Sequence, residues 1–91
     1  MKVLVTEYIF DGNDEKKTTL DIPDATEESL KKAAVKAIFK TDNHDNYKVC
    51  IDKDNTLENV YHITSVKIKC KIEGRYTSWV PFGIFGKIEL I

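Results

Sequence analysis

Apolar and polar positions repeat with two different periods along this 91-residue chain. Between residues 23 and 40 the period is helical. Leu30, Ala33, Ala34, Ala37 and Ile38 recur at spacings of three and four, widened by Val35 and Phe39, so they share one stripe of an α-helix. Glu27, Glu28, Lys31, Lys32, Lys36 and Lys40 take the other side, acids first and lysines later, as the helix dipole favours. Thr26 is the expected N-cap, with Asp24 the alternative, and Asn43 is the expected left-handed residue at the far end.

Everywhere else the period is two. Residues 2–10 put Val3, Val5 and Ile9 on one face and Leu4, Thr6 and Tyr8 on the other. Turn chemistry at 11–15 predicts a hairpin with 17–22, which Pro23 ends. After a polar loop at 41–46, residues 47–52 form a strand in which, if Tyr47, Val49 and Ile51 face the helix, Lys48, Cys50 and Asp52 point the other way. A second polar connection covers 52–59. Then Val66, Ile68, Cys70 and Ile72 alternate with Lys67, Lys69, Lys71 and Glu73. A turn at Glu73-Gly74 returns the chain through 75–80, Pro81 and Gly83 break the pairing, and 84–91 supplies a last strand. The predicted class is α+β: one helix on one face of a mostly antiparallel sheet, in the order β-β-α-β-β-β-β. The β-β-α opening resembles that of β-grasp domains in topology alone, which implies nothing about function.

Length predicts one domain spanning 1–91, able to bury a modest core without staples or metal. The net charge of −1 hides an asymmetry, since residues 1–46 carry seven lysines against ten acids and residues 47–91 carry seven basic residues against five acids. Arg75 is the sole arginine, which limits bidentate recognition of carboxylate or phosphate. This lysine-heavy, arginine-poor usage is expected of an AT-rich bacterial or phage genome. The early interruptions at Thr6, Glu7 and Asp11 exclude a secretory core at the N-terminus, and no apolar run is long enough for a membrane helix. A cytoplasmic, intracellular setting with reduced thiols is the expectation.

Candidate chemistry is sparse. His44, His62, Cys50 and Cys70 lack the close spacing of a structural zinc site. Asp52-Lys53-Asp54-Asn55 begins like a calcium loop, but Leu57 and Ile63 occupy its glycine and glutamate positions. No nucleophile elbow or phosphate-cradling glycine loop is present. The expectation is therefore a protein that is not an enzyme and needs no cofactor or metal.

Two features point to binding. Pro81 and the glycines make 79–86 irregular, so its large apolar side chains cannot all enter one core. Trp79, Phe82 and Phe85, with Tyr76, are the candidate anchors for a protein partner. The second feature is the row Lys67, Lys69 and Lys71, with Arg75, which suits single-stranded nucleic acid if nearby rings stack on bases. The favoured expectation is a small non-enzymatic adaptor or inhibitor acting on a protein partner. Nucleic-acid binding along the lysine strand is the alternative, and a small metal-binding or catalytic domain is the third. A terminal strand at 84–91 with an open edge would also permit a homodimer.

Overall fold

The computed structural model describes residues 1–9, 14–72, 76–83 and 85–91, and for residues 71–72, 76–77 and 82 it describes the backbone alone. The elements run β1 (Lys2–Ile9), β2 (Asp14–Asp21), α1 (Glu27–Phe39), β3 (Tyr47–Lys53), β4 (Val60–Ile72), β5 (Tyr76–Phe82) and β6 (Phe85–Leu90), with a single 3-10 turn at His44–Asn46 before β3. They form the expected α+β fold, one helix over a six-stranded sheet in which every pairing is antiparallel.

The helix begins as its sequence dictates. Thr26 caps it by accepting a hydrogen bond from the Ser29 amide at 3.3 Å, and Asp24 Oδ1 in turn accepts from the hydroxyls of Thr26 and Ser29, each at 2.7 Å. Those bonds, the one from Ser29 first, hold the Asp24 carboxyl below its ordinary range. Lys31 to Glu27 at 2.8 Å and Lys32 to Glu28 at 3.0 Å are exposed i,i+4 pairs, each adding a few tenths of a kcal/mol. The far end departs from expectation. Lys40 rather than Asn43 takes the left-handed conformation, with φ 58° and its amide bonded to the Lys36 carbonyl at 3.0 Å. The apolar stripe is exhausted at Phe39, so the helix gains nothing by continuing.

The sheet order is β2-β1-β6-β4-β3, with β5 also paired to β4. The unusually long β4 explains this branching: its first part pairs with β6 and its second with β5, while β3 runs along its opposite edge. Pairing passes through Pro81, which faces Lys67, rather than breaking there. β5 has no second neighbour among the described strands, so a residue without an N–H is tolerated. The expectation of an open terminal strand is corrected as well. β6 lies between β1 and β4, and the described strands with a free edge are β2, β3 and β5.

The core lies between the helix and one sheet face. Val3 and Val5 of β1, Val49 of β3, Ile63 and Val66 of β4 and Ile88 of β6 pack against Leu30, Ala33, Ala34, Val35 and Ala37. The three alanines let the helix sit close, and the fully buried Leu30 fills the gap between them and the sheet. The same face thins out toward β5, where Val80 is 44% exposed. A register shift fixes which side chains of β4 join the core. Cys50 pairs with Ser65 and Ile51 with Ile63, which leaves Thr64 unmatched as a bulge whose hydroxyl donates to the Cys50 carbonyl at 3.3 Å. Ile63 and Val66 are three residues apart, yet both reach the core because of that extra residue.

Candidate functional site

The helix packs on one sheet face only; on the second face Thr6 and Val60 are still buried, but the part formed by β3, β4 and β5 is exposed, and strand alternation determines what it presents. Lys48 stands opposite Lys67, Lys69 opposite Trp79, and Lys67 opposite Pro81. Side chains directly opposite share a face, so Lys48, Lys67, Lys69, Trp79 and Pro81 form one patch across β3, β4 and β5. Lys48, Lys67 and Lys69 are exposed, and Trp79 is half-buried. The Lys48 ammonium sits over the indole, 4.6 Å from the ring centroid, within the range of a cation–π contact. Phe85 is opposite Tyr8 on the same face and is 55% exposed.

The lysine row and the aromatic run, separate features in the sequence, therefore meet. Trp79, Lys67 and Lys69 come together, and Phe85 lies farther along the same face. Lys71, Tyr76 and Phe82 occupy strand positions, but their side chains lie outside the described residues, as does Arg75 entirely. Lys48 was not legible as part of the site, because nothing in the sequence places β3 beside the far half of β4.

Away from the patch the same face carries charges of both signs. Asp52 stands opposite His62, Glu89 opposite Leu4 and Glu15 opposite Tyr8. Lys87 is neutralised by Glu89 at 3.3 Å, which also raises the lysine above its ordinary pKa. The β3–β4 turn is built on Asp54. Its Oδ1 accepts from the Thr56 amide at 2.7 Å, the Thr56 hydroxyl at 2.8 Å and the Leu57 amide at 2.9 Å, while Oδ2 lies 2.6 Å from His62 Nε2. The His62 contact first, then these turn bonds, hold the Asp54 carboxyl far below its ordinary range. The stretch that resembles the start of a calcium loop thus serves as a turn organiser, and the spacing of Asp54 and Thr56 is the signal of an Asx turn.

On the helix side, a groove of about 570 Å³ runs between α1 and β3, with Val35, Tyr47 and Val49 among its lining residues. Its helix rim is the two ion pairs Glu27–Lys31 and Glu28–Lys32, so those charges are already neutralised. Beneath the helix C-terminus, Glu7 is 7% exposed and its Oε1 has no hydrogen-bond partner among the described residues. Burial raises its pKa, opposed by the nearby Lys16 and Lys40 ammonium groups. Cys50 and Cys70 are free thiols, Cys50 exposed and Cys70 half-buried. Among the described residues no three His, Cys, Asp or Glu side chains gather to hold a metal ion. No described helix is long and apolar enough to cross a membrane.

Comparison with known proteins gave no matching family model, no matching curated protein and no matching solved structure.

Proposed function

We propose that this chain is a small non-enzymatic binding protein, an adaptor or inhibitor, that works by laying its uncovered sheet face against a protein partner. The observation that carries this reading is Trp79, a large half-buried ring on the open face, directly across from Lys69 and beneath Lys48. Exposed Phe85 on the same face adds a second ring. Rigid rings with polar neighbours are the usual energetic centres of protein interfaces, because they contribute contact area at low entropy cost. The lysine-rich composition is in keeping with a phage or bacterial source. An intracellular site of action fits the two free cysteines.

The test is affinity capture from the native host with the wild-type chain and a Trp79→Ser/Phe85→Ser variant, each checked by circular dichroism. A protein retained by the wild type and lost by the folded variant is the expected result. A partner held equally by both refutes the proposal. Assay of the captured protein with and without this chain then separates an inhibitor from an adaptor.

A second reading, single-stranded nucleic-acid binding, rests on the same three lysines beside an aromatic ring. It requires affinity for oligothymidylate that falls steeply with salt. Absence of binding at low salt removes it.

A further inference from the structure

The lysines of this chain divide into those with a carboxylate beside them and those without, and three of the second group stand together on the open face. Lys17, Lys31, Lys32, Lys36 and Lys87 each have a carboxylate within 3.9 Å. Lys48, Lys67 and Lys69 make no ion pair among the described residues. Lys48 and Lys67 are also directly opposed across β3 and β4, and like charges in that position destabilise a sheet. Folding alone does not call for three unneutralised ammonium groups side by side. A partner bearing the opposite charge does.

We infer that the patch of Lys48, Lys67, Lys69 and Trp79 receives an acidic protein surface, whose carboxylates take the three ammonium groups while an adjoining apolar side chain packs beside the indole. This inference rests on the protein-binding reading above and names the chemistry of the partner. Two observations favour carboxylates on a protein over a polynucleotide. The Lys48 ammonium already occupies a face of the indole, where a base would have to stack. Beyond the patch Lys17 and Lys87 of this face are already paired with Glu15 and Glu89, and Asp52 stands opposite His62, so a long polyanion that leaves the three lysines meets no further row of unpaired cations, whereas a compact acidic spot needs none. Compact lysine charges also suit single carboxylates, which need no planar fork.

Trp79 is the single tryptophan of the chain, so its fluorescence reports on the patch directly. The probes are a short peptide with glutamates flanking one phenylalanine and a short oligothymidylate of equal charge. The peptide is expected to change the emission saturably at low salt and to bind more tightly than the oligothymidylate. Its Kd should rise by about fivefold in Lys67→Gln/Lys69→Gln, the loss expected for two exposed charge pairs, and stay unchanged in the charge-matched control Lys31→Gln/Lys32→Gln. Tighter binding of the oligothymidylate, no response to the peptide, or equal loss in both variants overturns the inference. Capture of the host partner separates the two levels. If the Trp79→Ser/Phe85→Ser variant loses that partner and the lysine variant keeps it, the acidic-partner inference fails and the protein-binding reading stands; if both keep it, both fail.

Discussion

Lys48 on β3 and Trp79 on β5 meet across the full width of β4, with the ammonium 4.6 Å from the ring centroid. The contact couples two strands that share no backbone pairing. A double-mutant cycle with Lys48→Met and Trp79→Leu is expected to give a coupling of about 0.5–1 kcal/mol, the range for a solvent-accessible cation–π pair. Urea denaturation of the four proteins measures it. Additive effects would mean that the two side chains do not interact in solution.

Gly86 is expected to tolerate no side chain. A Cβ built there collides with the carbonyl oxygen of Thr6, which is backbone in the adjacent strand and cannot turn aside. Gly86→Ala must part β6 from β1 in the middle of the sheet, so a loss of about 3 kcal/mol is expected. Gly83→Ala is the control, because its added methyl meets nothing within 4 Å. Thermal melts of the two variants should differ widely.

Glu7 destabilises the fold as it ionises. Its folded pKa lies above the ordinary carboxylate value because burial penalises the charge. The folded state therefore holds the proton where the unfolded chain has released it, and stability falls as pH rises from about 4.5 through the folded value. Glu7→Leu removes the buried unpaired oxygen and should stabilise by on the order of 1 kcal/mol at neutral pH. The gain should shrink below the ordinary carboxylate range. Denaturation midpoints across that range test the sign.

Asp54 acts in the opposite sense. Its pKa is depressed, first by His62 and then by the hydrogen bonds of the turn, so its contribution is complete above the ordinary carboxylate range and is lost as pH falls toward the folded value. Asp54→Ala leaves the Thr56 and Leu57 amides without their acceptor. Faster hydrogen exchange at those two amides, with little change in the helix, is the expected outcome.

Much of this was legible in the chain itself. The three-and-four spacing from Leu30 to Ile38 identified the helix and its buried stripe, and Thr26 its start, because caps and stripes are local properties of sequence. Alternation grouped Val3 with Val5, and both are in the core, although Thr6 on the other face is buried as well; in 47–52 it set Lys48, Cys50 and Asp52 opposite to Val49, and they are exposed where Val49 is buried. The lysine row and Trp79 were recognised as separate candidates. The end of the helix at Lys40 and the strand that continues through Pro81 were not, since each depends on what lies alongside.

Sequence alone thus determined the elements, which residues share a face and the residue types available for binding, because hydrophobic period and capping act over a few residues. The tertiary structure decided what became neighbours. It placed the terminal strand in the middle of the sheet, used Thr64 as a bulge so that Ile63 and Val66 share one core, and set Lys48 over Trp79. Pairing register between distant strands follows from how all the apolar faces fit at once, and no single stretch of the chain carries that information.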